Sequence, residues 1–414
     1  MTIDRLPLSL LSLLPLVGCS ASRGGAVSGD GDRDRRFGDA ATDAAGLADG
    51  RAPADAPTPD TARARDDAAA GGVIDGAGDP RDRDGTAPPA GEGGPAAGMI
   101  PMFVAQGSVE RTTISCDDGM TWVGNQSADD SLRCYSNNNL PDCDHGETAG
   151  RGLAYGGGWF FASFGWGAGG PLKRSRDGVV WETALTPNQQ GTIAFGNGRL
   201  FGSDHYTDDL GVTWHNTPGA AAGVTRNVGF IPQAGGHFVL VGDNGTFVSD
   251  GSGFTRVTTG CGAAFTLGSG AVASASTTIL VNSDGVACRT TDGGTTWKST
   301  SVGGAILSHP IWDGSAFRVW GRGKMYRSAD GAAWTATNTT PSTLQIESVA
   351  YSPDTGTFVA VRDEWLEWYA AQIFYRSLDG IIWTAIPKAN FVGSHRIVDI
   401  EFGYGAPSAA CPAR

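Results

Sequence analysis

Beyond residue 99 the chain alternates short apolar runs with turns of Gly, Asn and Asp. One stretch reads Thr192-Ile193-Ala194-Phe195, a Gly196-Asn197-Gly198 turn, Arg199-Leu200-Phe201-Gly202-Ser203, then His205-Tyr206-Thr207. Short runs of β-branched and aromatic residues bounded by Gly and Asp predict strands. The same order returns as Gly152-Leu153-Ala154-Tyr155, Trp159-Phe160-Phe161-Ala162-Ser163 and Leu172-Lys173-Arg174-Ser175. It returns again as Val349-Ala350-Tyr351 and Phe358-Val359-Ala360-Val361. The pattern predicts repeated units of four short strands.

A version of one phrase, Ser/Thr-x-Asp-x-Gly-x-x-Trp, closes each third strand and occurs seven times. Its copies are read on Asp117, Asp177, Asp208, Asp292, Asp330 and Asp379, with a worn copy over Ser249-Asp250-Gly251-Ser252-Gly253-Phe254. Trp122, Trp181, Trp214, Trp297, Trp334 and Trp383 complete the six full copies, and with the worn copy counted the spacings are roughly 33 to 59 residues. A repeat of this length means an array of like units, and units of short strands suit propeller blades. The first copy has no inner strand before it. The last is followed by a spare strand, Arg396-Ile397-Val398-Asp399-Ile400-Glu401-Phe402-Gly403. The expected fold is therefore all-β: a seven-bladed β-propeller whose C-terminal strand completes the first blade and removes the sheet edges.

The phrase resembles the Asp-box, or bacterial neuraminidase repeat, of sialidases, sortilin-type receptors, xyloglucanases and photosystem assembly factors. The resemblance spans about 300 residues. It implies that the Asp carboxylate accepts backbone N–H groups across its turn. Gly then supplies a positive φ, and Trp packs between sheets. It implies little about activity, because function lives in sites grafted onto folds. Sialidases of this type open with aromatic-Arg-Ile-Pro, whereas this chain has Gly98-Met99-Ile100-Pro101. Met99 stands where an arginine would grip the substrate carboxylate, so that bidentate contact is lost. No nucleophile motif accompanies the six histidines.

The ends differ from this domain. Leu6 to Val17 is apolar but too short to span a bilayer, and Leu16-Val17-Gly18-Cys19 resembles a bacterial lipobox. Residues 1–18 read as a lipoprotein signal peptide, with Cys19 the lipidated first residue. Residues 19–98 are rich in Ala, Gly, Asp, Pro and Arg, with Phe37 the one aromatic. Such a segment cannot offset its ordering entropy by burial, and reads as a disordered tether with an r.m.s. span of about 50 Å. The propeller is placed at 99–405 and a C-terminal tail at 406–414. A net charge of −13 argues against nucleic-acid binding. The expected location is a bacterial outer membrane or cell surface, lipid-anchored, with the protein a monomer.

Strand direction sorts the connections. The repeated turn joins third to fourth strands, so first-to-second connections share its face, here the bottom. The long connections fall on the top: 125–150 between blades 1 and 2, 165–171 within blade 2, and 362–369 within blade 7. Long loops clustered on one sector of a rigid scaffold are where binding concentrates. Candidate ligand-binding residues there are Asp142, Asp144, His145 and Glu147, with the aromatic faces of Trp166, Trp365, Trp368 and Tyr369 suited to sugar rings or peptide side chains. The string Asp142-Cys143-Asp144-His145-Gly146-Glu147 would favour Ca²⁺ over Zn²⁺ if it took a metal, but it lacks EF-hand spacing, and no cofactor is expected. Setting Cys19 aside, six cysteines remain. Their places predict Cys134–Cys143 and Cys261–Cys288 at the top, and Cys116–Cys411 at the bottom.

These readings converge on a non-catalytic propeller that binds a glycan or an envelope or extracellular protein through its top face. Two alternatives stay open. One is a glycoside hydrolase of sialidase-like fold, using Asp144 or Glu147 with a carboxylate from another blade. The other is a cell-envelope assembly factor.

Overall fold

The computed structural model describes residues 97–413, except 108–109, 125–149, 165–169, 189–191, 203, 218–224, 243, 250–252, 266–269, 363–372 and 392–396. It contains seven four-stranded antiparallel sheets, arranged as a seven-bladed β-propeller. Blade 1 takes its innermost strand from the far end of the chain. Ile397–Gly405 pairs with Ile100–Gly107, followed outward by Thr112–Ser115 and Val123–Gly124. Blades 2 to 7 each use four consecutive strands, their innermost being Gly150–Gly156, Ala194–Gly196, Thr225–Ile231, Gly270–Ala273, Ile311–Trp312 and Ile346–Ser352. No helix among the described residues is long and apolar enough to cross a membrane.

Second strands lie between two neighbouring blades, so both of their faces are buried. That is why Ile100–Gly107 reads as a nearly continuous apolar run. Met102 and Val104 pack on Leu153, Phe160 and Ala162 of blade 2. Phe103 and Ala105 face the other way, onto Val359, Val361 and Phe374 of blade 7. The period of two thus assigns alternate residues to alternate neighbours.

The repeated turns fasten each blade to the one before it. Gly119 lies where a Cβ would fall 2.5 Å from the Val359 side chain of blade 7, and at Gly178 it would fall 2.6 Å from Ile114 of blade 1. Both glycines have positive φ, 84° and 70°. The turn's Trp covers the same neighbour: Trp122 stacks on Phe374 of blade 7, with ring centroids 3.9 Å apart. Its indole N–H donates to the Gly119 carbonyl, and Trp181, Trp297 and Trp383 repeat this with Gly178, Gly294 and Gly380.

A second wedge runs along the innermost strands. Tyr155-Gly156, Phe195-Gly196 and Phe402-Gly403 occupy corresponding places on blades 2, 3 and 1. The glycine on one blade admits the aromatic ring of the next: Gly403 admits Tyr155, Gly156 admits Phe195 and Gly196 admits Phe230. A Cβ at any of the three would overlap the ring.

The outer strands begin beyond the repeated turn. His215–Asn216, Thr335–Asn338 and Thr384–Ala385 start after the Trp, because the indole is turned onto the neighbouring blade. Segment 406–413 folds back at the bottom, where the Ala406 amide donates to the Arg176 carbonyl and Cys411 is buried against blades 1 and 2.

Candidate functional site

Asp142, Asp144, His145, Glu147, Trp166, Trp365, Trp368 and Tyr369 all lie outside the described residues, as do Cys134, Cys143 and Cys19. The strand ends that carry the three connections singled out in the sequence are described. They are Gly124 and Gly150, Phe164 and Gly170, which are separated by only five residues, and Arg362 and Phe374. Core contacts put the three blades side by side, with blade 1 packed on blade 7 through Phe103 and on blade 2 through Val104.

Beneath these strand ends the ring is cross-braced by one carboxylate. Asp399, on the innermost strand of blade 1, accepts from the Ser348 hydroxyl of blade 7 at 2.7 Å. Its other oxygen accepts from the Leu153 amide of blade 2 at 2.9 Å, and the Ile400 amide adds a third bond at 3.0 Å. One side chain thus joins three consecutive blades near their top. Gln106 pairs with it across the strand, fully buried, its carboxamide without a protein partner among the described residues. Two residues along, Glu401 is enclosed by protein and keeps a partial opening. Burial, then the charge of Asp399, push its carboxyl up to about 8. Sequence reasoning passed over both acids. The available signal was two carboxylates in an otherwise apolar strand, Ile397-Val398-Asp399-Ile400-Glu401-Phe402.

The bottom of the same sector is braced as well. Asp118, in a left-handed conformation with φ 64°, accepts from the hydroxyls of Thr355 at 2.6 Å and Thr357 at 2.5 Å, and pairs with Arg376. All three partners belong to blade 7. Cys116 and Cys411 form a disulfide with Cα atoms 5.9 Å apart, closing a sequence separation of 295 residues. Cys261 and Cys288 form another, between blades 4 and 5, also with Cα atoms 5.9 Å apart.

The carboxylates of the repeated turns are engaged within the turns. Two forms occur. In the short form, Asp177 accepts from the amides of Val179 at 2.9 Å and Val180 at 2.8 Å, while the Ser175 hydroxyl accepts from Gly178. Asp330 and Asp379 do the same. In the long form an extra residue enters, and Asp117 accepts from both the amide and the hydroxyl of Thr121, at 2.8 and 2.6 Å. Asp292 does so with Thr296, and its turn opens on the Thr290 hydroxyl.

The third blade corrects the assignment of Asp208. The turn carboxylate is Asp209, which accepts from the Thr213 amide at 2.8 Å, its hydroxyl at 2.6 Å, and the Thr207 hydroxyl. Asp208 points outward to Arg199. Both forms place the acid two residues after the hydroxyl, and from Thr207 that residue is Asp209. Hydrogen bonds led by the Thr213 hydroxyl hold the Asp209 carboxyl far below the usual carboxylate range. Burial opposes ionisation of Asp117, yet the bonds from Thr121 outweigh it and its carboxyl is also lowered. Among the described residues no three His, Cys, Asp or Glu side chains gather as a metal site.

No family model matches the chain, and no curated protein is similar to it. Several solved structures are. YCF48 bound to a D1 peptide is 15% identical, over 66% of this chain and 94% of that one, with a TM-score of 0.45. A catalytically inactive virginiamycin B lyase from Staphylococcus aureus, with quinupristin, is 10% identical over 63% and 92%, with a TM-score of 0.45. The GH74 enzyme of Niastella koreensis is 15% identical over 71% and 56%, with a TM-score of 0.31.

Proposed function

We propose that this protein is a lipid-anchored Asp-box propeller, held to a bacterial outer membrane or cell surface through Cys19. In this reading it binds a glycan, or an envelope or extracellular protein, through the top of blades 7, 1 and 2, and catalyses no reaction on it. The observation that carries the reading is that one carboxylate, Asp399, ties blades 7, 1 and 2 together near their top. The longest top connection, between Gly124 and Gly150, and the connection between Arg362 and Phe374 spring from blades that Asp399 joins through Ser348 and Leu153, and Asp118 through Arg376. A rigid support under long loops lowers the entropy lost when a ligand is bound. The aromatic residues Trp166, Trp365, Trp368 and Tyr369 supply flat apolar faces in those loops, matched to sugar rings or to peptide side chains.

The test is a glycan-array screen of the full mature chain, with the Trp166→Ala and Trp365→Ala variants alongside. Binding that both variants lose supports the reading. A silent array directs the search to envelope proteins captured by the same face, with the same two variants as the control. Release of product from a bound glycan, lost in Asp144→Asn or Glu147→Gln, overturns the non-catalytic claim.

A further inference from the structure

We infer that the bottom of the ring is a phospholipid-docking face, formed by the apolar tips of the repeated turns on four consecutive blades. Every large hydrophobic side chain that is exposed among the described residues lies in or directly beside one of these turns. The tips are Ile382 on blade 7 (61% exposed), Met120 on blade 1 (54%), Val180 on blade 2 (71%) and Val212 on blade 3 (69%), with Leu378 (66%) beside Ile382. The equivalent positions on blades 6 and 5 carry Ala333 and Thr295. One sector of the bottom is therefore apolar at a position that the fold leaves free to be polar.

The shape of this surface selects its occupant. The tips occupy the same position of the repeated turn on four neighbouring blades, one per blade. A flat, laterally continuous partner touches all of them at once, which suits a bilayer interface better than a single protein chain. The carboxylates Asp177, Asp209 and Asp379 of the same turns accept from amides of their own turns, so the contact is made by the apolar tips. The polypeptide also enters the domain at this end, since Ile100 pairs with Gly405 and the next residue, Ala406, bonds to Arg176 of the blade 2 turn. The inference rests on the reading of Cys19 as the lipid anchor. An anchor raises the local concentration of the face, so that weak contacts suffice.

The experiment is hydrogen exchange. The acylated full chain is placed on vesicles of phosphatidylethanolamine and phosphatidylglycerol, and compared with the Cys19→Ser chain in solution. Amides at 119–123, 178–182, 210–214 and 379–383 are expected to slow by about three-fold or more on vesicles, while 293–297 and 331–334 keep their rates. A variant with Met120→Ser, Val180→Ser, Val212→Ser and Ile382→Ser should stay on the vesicles through its lipid and lose that protection. Equal rates in both states, or protection that survives in the variant, overturns the inference. Protection that grows with the concentration of the free Cys19→Ser chain marks contact between two copies and also overturns it. The mass of the mature N-terminus reports the anchor separately. If Cys19 carries no lipid, flotation of the unmodified chain with the same vesicles decides: flotation lost in the variant supports docking, and no flotation sinks it.

Discussion

Gly156 of blade 2 faces the ring of Phe195 of blade 3 so closely that a Cβ on the glycine would overlap the ring. Hydrogen on one blade is thus the condition for an aromatic wedge on the next, and blades 1, 2 and 3 repeat it. Gly156→Ala should destabilise the ring by about 1–3 kcal/mol, since overpacking of a filled site displaces the ring or the strand. Phe195→Leu in the same chain should recover part of the loss, because the two residues share one space. Thermal unfolding of the single and double variants measures this coupling.

Asp399→Ala should cost about 2–3 kcal/mol, because it leaves the Ser348 hydroxyl and the Leu153 amide without their acceptor in a half-buried site. The loss should open the ring at the blade 7–1–2 sector. Amide exchange at Leu153 and along Ile346–Ser352 should quicken more than along Thr278–Val281 of blade 5.

Glu401 sets a pH dependence of defined sign. Its folded carboxyl titrates at about 8, above the ordinary 4.5, so the folded chain holds a proton there that the unfolded chain releases. This contribution is fully present below the unfolded value and is lost as pH rises from about 4.5 to 8. The partial opening of the site to solvent reduces its size to roughly 1–3 kcal/mol. Glu401→Gln should flatten the decline in chemical-denaturation midpoint between pH 5 and 8. The lowered carboxyls of Asp117, Asp292, Asp330 and Asp379 act oppositely, losing stability as pH falls through their folded values.

Two neighbouring aspartates on blade 3 should behave differently. Asp209→Ala removes the acceptor for the Thr213 amide and hydroxyl and should lower the thermal midpoint clearly. Asp208→Ala removes a partly exposed pair with Arg199 and should leave the midpoint near that of the parent chain.

The repeated phrase made the blades legible because it couples three local demands, a hydroxyl, a carboxylate and a glycine, within a few residues. Ring closure was legible from a missing strand at one end and a spare one at the other. Cys116 and Cys411 followed from that closure, since the segment after the closing strand reaches the first repeated turn only when the ring is shut. The register of the blade 3 turn was legible but misassigned, because Thr207-x-Asp209-x-Gly211-x-x-Trp214 fits the phrase, whereas Asp208 has Tyr206, not Ser or Thr, two residues before it. Asp399 and Glu401 escaped notice for a different reason. Their roles depend on strands from blades 7 and 2, far away in the chain, and no local pattern marks a carboxylate that will bridge them. The aromatic-Gly pairs were visible as letters, but their meaning required the next blade.

Ligand binding by the full mature chain, compared with its Trp166→Ala/Trp365→Ala variant on a glycan array and on immobilised envelope proteins, is the most direct test of the account. The account predicts a saturable signal that falls about ten-fold or more in the variant, equivalent to roughly 1.4 kcal/mol or more, with thermal stability unchanged. A signal that the variant retains in full, or a bound glycan that the parent chain cleaves, would contradict it.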